Sequence, residues 1–201
     1  KGLERATGEI FHWLNSDDWL LPGALTEVAR AVRKEPDAVG WVGACKRVSP
    51  EGLVLSVIKP KGLRKEELAD WEKNQIYQPA CFIKKEAIRK LEGVDESLHI
   101  AFDFDTWLAL TDSGVLSRIE SVLAMAIIHP EAKTQAKRHL MVSEHVSVLF
   151  RRGFEDIAKD YVARIARSEM ELREKVERVR SNFVYRLLRP LLKRLGMLGS
   201  K

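Results

Sequence analysis

The chain has 201 residues, of which 45% are hydrophobic and 31% are charged, so it can bury the core of one domain plus an appendage. It has two cysteines, Cys45 and Cys81, in apolar runs without a disulfide pattern, so a reducing cytoplasm is the expected compartment. No apolar run approaches the roughly 18 residues of a membrane span, and no signal peptide is visible.

The formal net charge of +5 is unevenly placed along the chain. Residues 1–150 carry 20 basic and 22 acidic side chains, whereas residues 151–201 carry 14 and 7. A basic tail on a slightly acidic body is suited to anionic lipid, nucleic acid or a partner protein. We expect no nucleic-acid partner, because the basic residues are not interleaved with a recognisable binding motif.

The first predicted elements lead into an acidic turn. Residues 1–7 are predicted to end a helix, with Gly8 as its left-handed cap, and residues 9–14 form a buried strand. The polar residues 15–18 then end that strand. Pro22 with Gly23 starts the next helix.

Two adjacent carboxylates, Asp17 and Asp18, lie in this turn after Asn15 and Ser16. Ligand sites of open α/β sheets lie at the carboxyl ends of strands. Neighbouring like charges cost energy unless a cation, a donor or water offsets them, and hard divalent metals favour such oxygen ligands. One interpretation is therefore a metal and phosphate site, and the other is a polar turn that caps the next helix.

The chain up to residue 128 continues as alternating strands and helices with one hairpin, which favours an α/β layered domain. Further strands are predicted at residues 37–45, 53–58, 76–83 and 121–128, and helices at residues 22–34, 63–74, 84–91 and 103–111.

From about residue 133 the pattern changes to long helical periodicity. The last piece, residues 183–198, places leucines among arginines and lysines, and Pro190 is predicted to kink or divide it. It is suited equally to an interfacial helix on anionic lipid and to a helix packed on its own domain or on another subunit.

Three blocks of sequence carry a resemblance to a known family. They are Ala6–Ile10 with Leu14–Asp18 and Pro22–Leu25; Gln78–Phe82 with Gly93–Leu98 and Phe102–Leu108; and His129–Thr134. In this order, over about two thirds of the chain, they resemble the family-2 glycosyltransferases of the GT-A fold. The resemblance implies a partial GT-A domain (Rossmann-like, with a mixed sheet) over residues 1–134, holding the metal and acceptor half. A helical, basic carboxy-terminal extension follows over residues 135–201.

The resemblance also implies a metal ion. A divalent Mn²⁺ or Mg²⁺ neutralises the charge that develops on a nucleotide diphosphate leaving group. Asp18 matches the direct metal ligand of the family's Asp-x-Asp motif, and Asp17 stands beside it facing the sugar or ribose. Ser16 stands where a stricter motif has its first acid. His129 is implied to complete metal or diphosphate binding, although a histidine at a strand end is more often a surface residue.

Donor contacts are implied for Asn15, Ser16 and Asp17. The family often has an arginine two residues before the closing histidine, where this chain has Ile127. Lys133 is expected to substitute for that arginine as a phosphate contact.

The transfer also needs a base that takes the proton of the acceptor hydroxyl. By resemblance Asp103 holds the position of the catalytic aspartate. Asp105, two residues further along and on another helix face, supports or caps it. The alternative is that both are helix-start carboxylates that favour the amino-terminal dipole.

On the acceptor side the resemblance implies contacts from Gln78, Pro79 and Phe82. Trp19 is a candidate for stacking on a sugar, although an aromatic residue among apolar neighbours is first a core residue.

We therefore expect an inverting, metal-dependent glycosyltransferase of the hexosyltransferase type. It moves a sugar from a nucleotide-sugar donor, most simply a UDP-sugar, to a glycan or lipid-linked acceptor in cell-surface polysaccharide synthesis. It would be cytoplasmic and peripheral on the inner face of the plasma membrane. Two alternatives stay open: a non-catalytic carbohydrate-binding or membrane-docked module, and a metal-dependent phosphohydrolase.

The family's fold begins with a nucleotide-binding half, and this chain starts after it. We therefore expect the 201 residues to be an incomplete chain that transfers no sugar alone and exposes a sheet edge on its amino-terminal side.

Overall fold

The computed structural model describes residues 2–91, 93–129, 137–182, 188 and 190. The chain divides into two compact units, Lys1–Ile157 and Ala158–Lys201. The first helix after the predicted boundary at residue 134 thus belongs to the first unit. Within the described residues, no helix is both long and apolar enough to cross a membrane.

The first unit is built on one mixed sheet of six strands. These are β1 (Ile10–Phe11), β2 (Asp18–Leu20), β3 (Gly40–Val48), β4 (Val54–Ile58), β5 (Cys81–Lys84) and β6 (Leu116–Ile127). Their order is β1-β5-β3-β6-β2, with β4 paired to β3 outside this path. Only β3 and β6 are parallel among these pairs. The outer edge of β1 has no partner strand in the described part of the chain.

Helices alternate with these strands, which confirms the expected α/β class. They are α1 (Gly2–Arg5), α2 (Ala24–Lys34), α3 (Lys65–Ala69), α4 (Lys85–Lys90), α5 (Phe102–Ser113), α6 (Arg138–Arg151) and α7 (Glu155–Ser181), and a 3-10 turn spans Gln78–Ala80.

The helix predicted at residues 63–74 is shorter than expected. It ends at Ala69 because the buried side chain of Asn74 folds the chain back on itself. Asn74 Oδ1 accepts a hydrogen bond from the Lys61 amide at 2.8 Å, and Nδ2 donates to the Gly62 carbonyl at 2.7 Å. These side-chain bonds compete with continuation of the helix.

The segment before the acidic turn differs from the prediction in two ways. Only Ile10 and Phe11 of the predicted strand pair with β5. Side chains hold the rest, since Gln78 Nε2 donates to the Trp13 carbonyl at 2.8 Å. The prediction that Gly8 is a left-handed cap is wrong: Gly23 is among the left-handed glycines of the described chain, with φ of 83°, and it opens α2 instead.

The strand predicted at residues 76–83 begins only at Cys81, because a 3-10 turn occupies Gln78–Ala80. Pro79 has no amide hydrogen for a sheet ladder, and the Ala80 amide donates to the Tyr77 carbonyl at 2.9 Å, so the chain turns before β5 begins. This turn contacts β2, β3 and β6. The 3-10 turn therefore places Gln78 close to β2, the strand that directly follows the acidic turn.

The core holds the sheet and its helices together. One cluster of buried side chains joins α2 to the sheet through Val28, Trp41, Phe82 and Leu123. Gly43 lets β3 approach β6 closely, because a Cβ atom there would lie 2.5 Å from Leu123 Cγ. The register of the two strands shifts at this point.

Candidate functional site

The candidate site lies where β3 and β6 end and β2 begins. The parallel strands end together, since Val48 lies opposite Ile127 and the Ile128 amide donates to the Val48 carbonyl at 2.8 Å. β2 is antiparallel to β6 and starts with Asp18 opposite Ala126. The acidic turn and the end of β6 are thus adjacent, as ligand sites at carboxyl ends of strands require.

Hydrogen bonds join the acidic turn to the 3-10 turn. Asn15 Nδ2 donates to Asp18 Oδ2 at 3.0 Å and lies 3.4 Å from Gln78 Oε1. Ser16 and Asp17 are exposed on the same turn. The structure therefore brings together residues of the first and second blocks that lie more than 60 positions apart in sequence.

The electrostatics of the acidic turn favour a bound cation. Burial raises the pKa of Asp18 to about 6; the Asn15 hydrogen bond opposes this shift and the charge of Asp17 adds to it. His129 lies near Asp17, with Nε2 3.7 Å from Asp17 Oδ2. Since Asn15 is a neutral donor, its bond does not balance the charge of the pair.

These residues fit a hard divalent ion that is shared with a ligand. In the described part of the chain, no three His, Cys, Asp or Glu side chains lie close enough to form a complete metal cage. An ion bound with a nucleotide needs only one or two carboxylates, because phosphate and water oxygens complete its shell. Asp17 and Asp18 supply that number and type of donor.

Asp103 lies in the first turn of α5 and is partly buried. Burial raises its pKa to about 6, although the Phe104 amide donates to its Oδ1 at 2.7 Å. Its charge acts on the buried thiol of Cys81, whose pKa burial raises far above its usual range. Asp103 therefore lies within electrostatic range of Cys81, the first residue of β5, which directly follows the turn that carries Gln78.

Asp105 has a different environment from Asp103. It is buried, with 7% of its surface exposed, and it pairs with two arginines at the end of α6. Arg152 donates from Nε to Oδ1 and from Nη2 to Oδ2, both at 3.0 Å, while Arg151 Nη2 lies 3.2 Å from Oδ1. The structure gives Asp105 an ion-pairing role that uses both carboxylate oxygens, and a contact with the acceptor stays a prediction.

Glu144 of α6 is a site residue that the sequence analysis missed. Its carboxylate accepts the backbone amides of His99, Ile100 and Ala101 at 2.8 to 2.9 Å. Burial raises the pKa of Glu144, but these three donors outweigh it and hold the pKa below its usual range. Glu144 thereby fixes the segment that leads into Asp103. No local sequence signal marks it, because its partners lie more than 40 residues away.

Of the other predicted residues, Trp19, Pro79 and Phe82 lie in the described chain, and their acceptor contacts stay predictions. Trp19, which is 37% exposed, points to the opposite face of β2 from Asp18 and Leu20, because successive side chains of a strand alternate. Phe82 is 2% exposed and stacks on His12 at 4.2 Å, which is a packing role. The Pro79 carbonyl lies 3.0 Å from His12 Nε2. Lys133 lies outside the described residues.

Comparisons with known proteins bear on the family and the fold of this chain. Residues 1–91 match the family model described as glycosyl transferase family 2. Among solved structures, the crystal structure of S. aureus TarS 1-349 is similar, with a TM-score of 0.52 and 12% identity over 80% of this chain and 48% of that chain. The chain thus spans about half the length of that structure. No curated protein sequence matches significantly.

Proposed function

Since the first 91 residues match glycosyl transferase family 2 and the fold is similar to that of a GT-A glycosyltransferase, we propose that this chain carries the metal and acceptor side of an inverting enzyme. The donor is a nucleotide sugar, most simply a UDP-sugar. The acceptor is a glycan or lipid-linked glycan of cell-surface polysaccharide. The observation that carries the proposal is the junction of Asp18, Asn15 and Gln78 at the end of β6.

The acidic turn serves the leaving group. A bound Mn²⁺ or Mg²⁺ would neutralise the charge that develops on the diphosphate. Asp18 would hold the ion, with Asp17 beside it and His129 near Asp17. Asn15 orients the Asp18 carboxylate by its hydrogen bond of 3.0 Å.

Asp103 serves the acceptor. A carboxylate with a pKa of about 6 is ionised at neutral pH and more basic than an ordinary aspartate, as a general base requires. It takes the proton of the acceptor hydroxyl as that oxygen bonds to the anomeric carbon and the bond from this carbon to the diphosphate breaks. Attack opposite to the leaving group inverts the anomeric configuration. Glu144 holds the backbone just before α5, and the ion pair of Asp105 with Arg152 holds the first turn of that helix.

The proposal extends to location. The enzyme would work in the cytoplasm, with the basic residues 183–198 on the anionic inner face of the plasma membrane. Of these residues the structure describes only residues 188 and 190, so the sequence pattern supports this part.

Calorimetry on the variant Asp18→Asn tests the metal site. We expect UDP to bind the chain in the presence of Mn²⁺, and the variant to lose that metal-dependent binding. Asp37→Asn is the matched control, because it removes the same charge from an exposed loop before β3. Unchanged Mn²⁺-dependent binding in Asp18→Asn would refute the assignment, and an equal loss in both variants would show a general effect of charge.

A further inference from the structure

Arg47, near the carboxyl end of β3, shares a face of the sheet with Asp18. Ala126 of β6 lies directly opposite Asp18 on one side and directly opposite Arg47 on the other. Directly opposed residues of neighbouring strands project to the same face. Two strand spacings, about 10 Å, therefore separate the bases of the Asp18 and Arg47 side chains.

The neighbouring row of residues projects to the other face. Met125 lies opposite Trp19 and opposite Lys46. Lys46 therefore carries the same charge as Arg47 on the same strand but away from Asp18.

The guanidinium of Arg47 has one donor that no described residue satisfies, and its charge lies within electrostatic range of Tyr77. Its Nε atom is buried and makes no hydrogen bond. Buried donors are nearly always paired, so an unmet one at a candidate site is a sign of a missing acceptor. By contrast, Arg151 and Arg152 both pair with carboxylates. Arginine is also the side chain best suited to bidentate contacts with phosphate oxygens.

We propose that Arg47 binds the diphosphate of the nucleotide donor, on the side away from the Asp17–Asp18 pair; this inference rests on the proposed function. Asp17 and Asp18 repel a diphosphate unless a metal ion lies between the carboxylates and the phosphates, whereas the charge of Arg47 attracts the diphosphate directly. A diphosphate bound through a metal ion at Asp18 would have further phosphate oxygens that could accept hydrogen bonds from the guanidinium of Arg47. This chain has Ile127 where a phosphate-binding arginine was expected, and Arg47 supplies a cation from the adjacent strand.

Titration calorimetry of the 201-residue chain in saturating Mn²⁺ tests this role, with UDP, UMP and inorganic pyrophosphate as probes. We expect Arg47→Gln to weaken binding of UDP and pyrophosphate by about tenfold or more, since a charge-assisted hydrogen bond is lost. UMP, which lacks the second phosphate, should be affected less. Lys46→Gln, the matched control, should leave all three affinities within about twofold of the parent chain.

Three outcomes would overturn the inference. Equal weakening by Lys46→Gln would show a general effect of surface charge. Unchanged UDP affinity in Arg47→Gln, with the Asp18→Asn variant still losing UDP, would remove Arg47 from the site but leave the proposed function standing. Absence of metal-dependent binding of pyrophosphate, a probe that needs no nucleoside pocket, to the parent chain would refute the proposed function itself.

A second variant covers the case in which Arg47→Gln does not fold, which thermal unfolding of each protein would reveal. Arg47→Lys keeps the charge but loses the Nε donor and the planar fork. We expect it to bind UDP more weakly than the parent chain. Full affinity for UDP in folded Arg47→Lys would refute the bidentate contact.

Discussion

Replacement of Asp103 by asparagine should stabilise the folded chain at neutral pH. Burial raises the pKa of Asp103 from its ordinary value of 3.8 to about 6, so ionisation of this carboxylate opposes folding. Asparagine carries no charge, and its side-chain oxygen keeps the hydrogen bond from the Phe104 amide. The residue that we assign to proton transfer is thus held at a cost in stability.

The size of this gain follows from the shift in pKa. A shift of about 2 pKa units corresponds to about 3 kcal/mol. Because water reaches part of the Asp103 side chain, we expect about 1 to 2 kcal/mol. The gain depends on pH: between pH 3.8 and about 6 the folded state binds more protons than the unfolded state, so the parent chain loses stability as the pH rises.

Urea unfolding at several pH values between 4 and 8 measures this effect. The free energies of unfolding of the parent chain and Asp103→Asn should nearly agree at pH 4 and separate as the pH rises to about 6. Asp105→Asn is the matched control, because Asp105 lies in the same first turn of α5 but pairs with arginines. It should lower stability by about 1 to 3 kcal/mol, because two partly exposed arginines lose a buried carboxylate that accepts their hydrogen bonds.

A lower stability of Asp103→Asn than of the parent chain at pH 7 would contradict this prediction. A stability difference between the two proteins that does not change between pH 4 and pH 7 would contradict it equally. In either case the environment of Asp103 would not oppose its charge, and its assignment as the base would lose its physical support.

Three other predictions concern the loop, the sheet and the tail. Glu144→Gln should lower the free energy of unfolding by about 1 to 3 kcal/mol at pH 7, since one amide oxygen replaces two carboxylate oxygens that accept hydrogen bonds from three backbone amides. Urea unfolding measures this loss, and an unchanged midpoint of the urea transition would contradict the prediction. Gly43→Ala should cost about 1 to 3 kcal/mol in the same assay, because its Cβ would overlap Leu123, whereas Gly2→Ala meets no atom within 4 Å and should be nearly neutral. Residues 181–201 contain five basic and no acidic side chains, so the chain should co-sediment with anionic vesicles, and the bound fraction should fall as the salt concentration rises. Equal binding to neutral vesicles would exclude an electrostatic contact with lipid.

The sequence predicted most elements of the fold because local patterns determine them. The hairpin at β3 and β4, the helix after Gly23 and the buried helix at Asp103 follow from turn residues and from periodicity. The prediction failed where a side chain competes with the backbone. Asn74 ends α3 early, and the turn at Pro79 shortens a predicted strand. Hydrogen bonds that local propensity does not describe hold each of these two turns.

The candidate site was predicted only in part for a related reason. The family motif named Asp18 and Asp103, which lie in contiguous blocks of sequence. Arg47 and Glu144 lie outside these blocks, and their importance comes from strand register and from backbone amides far along the chain. Likewise, the ion pair that distinguishes Asp105 from Asp103 is formed by residues of α6. Such relations exist only once the sheet and helices have assembled.

The two buried cysteines can report how often the strands of the sheet separate. Cys45 and Cys81 are 1% and 2% exposed, and the charges of Asp18 and Asp103 act on Cys45 and Cys81 respectively. Burial raises the pKa of Cys45 to about 12, so a thiol reagent gains access to a reactive thiolate only when the strands separate. Pulsed alkylation followed by mass spectrometry would then count, for each strand, how often the sheet opens without any engineered label.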